Sequence, residues 1–356
     1  MSNLKSIFLN VLIILFLLIC IVIYFYFHLI NEIKKPLYSY NNNIIIEINN
    51  GYNSKDIFKI LNNNNIINNK FLYNIGLLYK KKEYNPKFGQ YYIPKNLSLL
   101  EIFDIFNDGK SIQHKITIPE GLVTQEILSI IKNDKVLSGD IDPEFSKLEG
   151  FFLPETYFFT KGYSRDDLLF RMRNEMKRIL DYEWEKRKKK LPYKDKLDAL
   201  KIASIIESET GADAERKLIA SVFINRLNNN MKLQSDPTVK YGLEKKNINQ
   251  IKIIKRSHLK LDHAWNTYTR KGLPKTPICN PGKKSIIAAL NPIKTDYFYF
   301  VADSKGGHLF AKSLDDHNSN IFYLKNKNLI RLNDNKSIFL NDNNLPLEKP
   351  VKNNLQ

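Results

Sequence analysis

Cysteine is nearly absent: the 356 residues hold two, Cys20 inside an apolar segment and Cys279 in a Pro-rich loop. Residues so placed form no disulfide framework, and they supply no thiolate cluster for zinc. The six histidines show no metal-ligand spacing, so neither a metal nor an organic cofactor is expected. Also missing is a small-residue cleavage site after the first apolar run, which argues against a removable signal peptide. The acidic residues are outnumbered, 37 against 55 Lys and Arg, leaving a formal charge of +18. That excess arrives together with Asn and Ile, in runs such as Asn62-Asn-Asn-Asn65 and Lys186-Arg-Lys-Lys-Lys190. It reads as compositional drift and not as an anion-binding face, and no nucleic-acid partner is expected.

What is present begins with Ile7 to Ile30, free of charge and longer than the roughly 20 residues needed to cross a hydrocarbon core. It continues through Tyr24-Phe-Tyr-Phe27 into Asn31-Glu-Ile-Lys-Lys35, so residues 1–35 are expected to be a tail and an uncleaved membrane anchor. Lys5 lies on one side and Lys34 with Lys35 on the other, so flanking charge does not set the orientation. The remaining length and an apolar content of 43% allow two modest domains.

Residues 36–112 read as a small α+β module. Ile44–Ile48 is a strand, Asn49–Ser54 a turn with Ser54 as helix cap, and Lys55–Leu61 a helix with Ile57, Ile60 and Leu61 on one face. A second apolar stretch, Phe71–Leu78, extends its core, Phe88–Ile93 is a strand, and Ser98 caps a helix over Leu99–Phe106. The shape is LysM-like, a carbohydrate-binding pattern, with a plain spacer as the alternative. Residues 113–326 form a larger α+β domain. Ile116–Gly121 runs from a strand into a helix capped by Thr124, and an aromatic loop spans Glu149–Tyr157. Helices are expected over Asp166–Lys190, Leu197–Glu209, Ala214–Leu227 and Lys283–Leu290, with polar loops from Gln234 to Pro281. The apolar strand Tyr297–Val301 is expected to be central. Residues 327–356 are Asn- and Lys-rich without periodicity, as in a disordered tail.

A helical wheel over Leu197–Glu209 puts Glu207 beside Leu200, Ala203 and Ser204, with Glu209 on the opposite side. Such carboxylates diverge, unlike the acid and nucleophile of a retaining glycosidase, which sit roughly 5–5.5 Å apart. Glu207 is therefore expected to act alone, its pKa raised by small apolar neighbours. Gln234, Ser235, Asp236, Thr238 and Tyr241, with Asn266, Thr267 and Tyr268, offer amide, hydroxyl and aromatic groups between Gly and Pro punctuation, a mixture suited to sugars. His308 and His317 either line the cleft or are structural.

Ile202–Gly211, Ser221–Leu227, Leu233–Gly242, Trp265–Gly282 and Tyr299–His308 resemble, in order and spacing, the endolytic murein transglycosylase (YceG-like) family, and the likeness spans most of residues 36–326. The resemblance implies a single-pass anchor in the bacterial inner membrane, a LysM-like subdomain, and a catalytic domain on the extracytoplasmic side. That domain would cleave the MurNAc–GlcNAc β-1,4 bond of nascent peptidoglycan strands, terminating their growth beside peptidoglycan synthases. It implies further that Glu207 protonates the leaving oxygen and then takes the proton of the MurNAc 6-hydroxyl, which closes onto C1 as a 1,6-anhydro end. Ala264-Trp265 stands where the family shows Pro-Tyr, Lys275-Thr276 where it shows Pro-Gly, and Asp316 where it shows Glu. Two other readings remain at this stage: a non-catalytic glycan-binding scaffold, and a muramidase in which water attacks.

Overall fold

The computed structural model describes residues 2–326 apart from 41, 82, 83, 247–250, 252 and 304. The expected tail, 327–356, lies outside the described residues. Helix α1, Ser2–Lys34, contains the stretch Ser6–Lys34, long and apolar enough to cross a membrane, with residues 6–28 exposed and Ile33 buried. This is consistent with single-pass anchoring.

The described residues then divide into two compact units, and not at one point: residues up to Thr117, Ile131–Ile141 and Thr156–Leu168 belong to the first, and Ile118–Ile130, Asp142–Glu155 and the described residues from Leu169 onward to the second. In the small unit, β1 (Ile44–Ile48) pairs antiparallel with β2 (Gly89–Ile93), Ile46 opposite Tyr91. Alternation along β1 sends Ile46 and Ile48 inward. They meet α2 (Ser54–Asn63), α3 (Lys70–Lys80) and α4 (Leu99–Asp108) around Ile57, Leu61, Tyr73, Phe103 and Phe106. The cap of α2 is Asn53, one residue before the expected Ser54. Its side chain accepts from Lys55 and Asp56 N–H groups and Asp56 reciprocates, whereas the Ser54 hydroxyl turns to Tyr73. Ser98 caps α4 in a capping box with Glu101. A second ribbon, β3 (Gln113–Thr117) with β4 (Thr156–Thr160), also belongs to this unit. The boundary expected at 112/113 therefore shifts, because strand pairing holds 113–117 and 156–160 together.

The larger unit is built around α7, Lys196–Glu209. Leu200, Ile202, Ala203, Ile205 and Ile206 are all fully buried, so α7 is apolar on every side and forms the hub of the core. It packs on α8 (Arg216–Asn228) and α11 (Lys283–Leu290), where Ala220, Ala288 and Ala289 allow close approach. Helix α6, Arg165–Glu185, contributes Met176, Ile179 and Leu180 to the same core. Helix α5 spans Thr124–Asn133, and Thr124 is its first residue, not an outside cap. Its N–H and hydroxyl both donate to buried Glu149.

Two expectations for this unit change. Asp236–Lys245, read as loop, is helix α9 with Pro237 in its first turn, where proline loses no hydrogen bond. Helix α10 is the short Arg256–Leu259. The apolar strand β5 (Tyr299–Ala302) is not central. It pairs with β6 (His308–Ala311) in a two-stranded hairpin, and Tyr299, Phe300 and Val301 are half-buried because the strand covers the side of α8, Phe300 meeting Phe223 edge-on at 5.8 Å.

Candidate active site

The last turn of α7 delivers Glu207, Ser208 and Glu209 about 100° apart, so consecutive side chains leave the core in different directions. Glu207 goes into an ion pair. Its Oε1 accepts from Arg216 Nη2 at 3.1 Å, its Oε2 from the Gly282 N–H at 2.8 Å, and both charged side chains are only 5% exposed. The Gly282 N–H opens α11, so the carboxylate also sits at a helix N-terminus. Arg216 is shared further: its Nε donates to Ser285 Oγ, it pairs with Asp213, and Glu120 Oε2 lies 3.6 Å from it. The carboxyl of Glu120 is raised by burial and then by the charge of Glu207, with Arg216 opposing. The apolar surroundings expected for Glu207 are thus not what the fold provides: both its oxygens are taken by cationic or N–H donors.

Glu209 faces a cleft of about 650 Å³ that it shares with Arg226, Gln234, Asp236, Tyr268 and Tyr299. One carboxylate oxygen accepts from Ser235 Oγ at 2.5 Å. Burial pushes its pKa up to about 7; the Ser235 hydrogen bond pulls down, the Asp236 charge pushes up, and His308 and Arg226 pull down. A carboxyl poised there gives and takes protons near neutrality. His308 lines the same cleft and is held by Glu215, which accepts from the His308 backbone N–H at 2.9 Å and lies 2.7 Å from its Nδ1. Arg226 donates to the carbonyls of Leu233 and Phe298 and lies over the Tyr299 ring, which orders the cleft wall.

The eight expected sugar-binding residues divide. Gln234, Asp236 and Tyr268 line the cleft with Glu209. Gln234 adopts a left-handed backbone, φ 51°, uncommon for a residue with a side chain. Tyr268 donates its hydroxyl to Asp236 at 2.6 Å. Tyr241 lines a neighbouring cavity of about 510 Å³ together with Asp236 and Ser208, and its hydroxyl donates to buried Glu149. The other four are inside the fold. Ser235, Thr238 and Thr267 form a buried hydroxyl cluster, Thr238 bonding the Ser235 carbonyl and Thr267. Asn266 holds its own loop, donating to the Leu259 and Leu261 carbonyls and accepting from Tyr268 and Thr269 N–H groups. These four position the loops and hold no free polar edge toward the cleft.

Sequence reasoning gave Glu209 no role and passed over Arg226, Tyr299 and Glu215, whereas His308 and His317, left open between cleft and structure, both line the cleft. The wheel separated Glu209 from Glu207 but did not say which of the two meets the cleft. Among the described residues no three His, Cys, Asp or Glu side chains come together to hold a metal.

The profile of the YceG-like family matches residues 46–322, most of the chain. The chain belongs to the YceG-like family. An endolytic murein transglycosylase of Bacillus subtilis (strain 168) is 32% identical over 315 residues, 80% of this chain and 85% of that one. An endolytic murein transglycosylase of Streptococcus pneumoniae (strain ATCC BAA-255 / R6) is 33% identical over 178 residues, 49% of this chain and 32% of its own. The crystal structure of a YceG-like protein from Listeria monocytogenes is 33% identical, covers 79% of this chain and 99% of its own, and superposes with a TM-score of 0.49. As a YceG-like protein, the chain carries its cleft and its α7 carboxylates wholly within the matched segment.

Proposed function

We propose that this YceG-like protein is a peptidoglycan lytic transglycosylase whose general acid and base is Glu209. The carrying observation is a carboxyl raised to about 7 at the wall of a polar, tyrosine-lined cleft. The printed names of the Bacillus and Streptococcus relatives support the substrate class. Protonated Glu209 gives its proton to the oxygen linking MurNAc C1 to GlcNAc. As that bond breaks, the MurNAc 6-hydroxyl bonds to C1 and its proton passes to Glu209, which restores the acid and leaves a 1,6-anhydro end. One carboxyl suffices because the substrate supplies its own nucleophile. Glu207, the residue first expected in this role, is better suited to fixing the end of α7, since its oxygens are already engaged.

The same reading places the cleft outside the inner membrane, anchored through α1, where it ends nascent strands beside their synthases. The small unit is read as LysM-like, with a groove of about 380 Å³ between the loops at Asn49–Tyr52 and Asn85–Phe88 as its glycan contact. The test is digestion of purified peptidoglycan by the full chain, with the new ends identified by mass spectrometry. Internal fragments ending in 1,6-anhydro-MurNAc are expected. Reducing MurNAc ends would mean hydrolysis, and binding without cleavage would mean a scaffold.

A further inference from the structure

We propose that α3 is a membrane-contact helix, its exposed apolar stripe seated in the lipid surface from which α1 emerges. Phe71, Leu78 and Tyr79 are 61%, 64% and 47% exposed, and with half-buried Ile75 they follow the i, i+4, i+7, i+8 spacing of one helix face. The sequence pattern alone assigns this stretch to the core, yet the core is served by the other face. There Tyr73 is buried, and Gly76 lies so close to α4 that an added Cβ would meet Leu99 Cδ2 at 2.9 Å. Ile75 packs the inner edge of the stripe against that core, while Phe71, Leu78 and Tyr79 are left exposed, and exposed apolar side chains gathered on one face mark an interaction surface.

Its neighbour identifies the occupant. Helix α1 packs on α3, its Ile33 fully buried in the core that holds Tyr73, and Lys34 Nζ lies 5.6 Å from the centre of the Tyr79 ring. Lys34 is about 10 Å along the helix from Phe27 at 1.5 Å per residue. The stripe thus begins within headgroup depth of the aromatic run Tyr24–Phe27 near the end of the apolar span, whose Tyr24 and Tyr26 suit the membrane–water boundary. Lys34, Lys70 and Lys81, all exposed, flank the stripe with positive charge, matching anionic lipid headgroups. A bilayer surface is continuous with the span, which favours it over a second protein. The inference rests on α1 crossing the membrane and is independent of the glycan chemistry.

The test uses the full chain carrying Leu78→Trp, reconstituted into vesicles of phosphatidylcholine and phosphatidylglycerol brominated at shallow acyl positions, with the emission of Trp184 and Trp265 subtracted using the parent chain. The added indole is expected to emit blue-shifted light, to be quenched by the brominated lipid at a depth of about 5–10 Å below the headgroup boundary, and to resist aqueous iodide. Quenching by iodide without quenching by lipid would overturn the proposal, as would protection from both, which would put a protein surface over the stripe. Resistance to alkaline carbonate extraction reports α1 alone, so loss of the anchor is told apart from loss of the patch. Phe71→Glu with Leu78→Glu, both at exposed sites, should leave the fold intact and speed hydrogen exchange along α3 in these vesicles; unchanged exchange would also count against the proposal.

Discussion

At the scale of single residues, the pair Glu207 and Glu209 shows how two carboxylates two positions apart acquire different chemistry. One is neutralised by Arg216 and a helix N-terminus; the other is held in a partly dry wall by one hydroxyl. For Glu209 the folded pKa of about 7 stands above its ordinary 4.5. The folded state therefore binds the proton more tightly, and stability falls as pH rises from about 4.5 to about 7 and stays lower beyond. Glu209→Gln is expected to be more stable than the parent at pH 8, by on the order of 1–3 kcal/mol, with the difference gone near pH 4.5. Thermal unfolding at the two pH values checks this. Cleavage by the parent should decline with an apparent pKa near 7 as the acid loses its proton, a limb read from initial rates on soluble glycan strands.

At the scale of elements, α7 and α11 set the site. Ile206 is fully buried one residue before the carboxylates, so Ile206→Ala should cost about 2–5 kcal/mol, measured by denaturant unfolding of the detergent-solubilised chain. At Gly282 an added Cβ would stand 1.7 Å from Glu120 Oε1, and because the Glu120 side chain is 42% exposed, Gly282→Ala should turn Glu120 aside and leave the Gly282 N–H on Glu207. A small change in thermal stability with cleavage little altered is the expected result. The sequence revealed that α7 is a helix ending in two divergent carboxylates, because its length and apolar content are local properties. Which carboxylate meets the cleft was not legible. On a helix apolar all round, the wheel says which residues are buried, and a buried Glu is as readily an ion-pair partner as an acid. The partner here, Arg216, comes from α8, and Gly282 lies 75 residues away. The loop residues behaved likewise: polarity at Ser235, Thr238, Asn266 and Thr267 was visible, but inward-facing networks and cleft-facing groups have the same composition.

At the scale of the whole molecule, the apolar N-terminus and two α+β units were readable from run length and periodicity, while the interleaving of the units depends on β3 finding β4 some 40 residues on, which no local pattern states. Read as compositional drift, the charge of +18 predicts no duplex-DNA affinity beyond the weak, salt-sensitive background of any basic surface, roughly 10⁻⁴–10⁻⁶ M. Fluorescence anisotropy at two salt concentrations tests it.

The most direct measurement compares peptidoglycan cleavage by the parent, Glu209→Gln and Glu207→Gln chains, with the fold of each verified by circular dichroism. Glu209→Gln is expected to lose 1,6-anhydro products by at least about a hundredfold, the scale of a removed general acid, and Glu207→Gln to be folded, less stable but still active. Full cleavage by Glu209→Gln, or an inactive Glu207→Gln that is as stable as the parent, would contradict Glu209 as the acid.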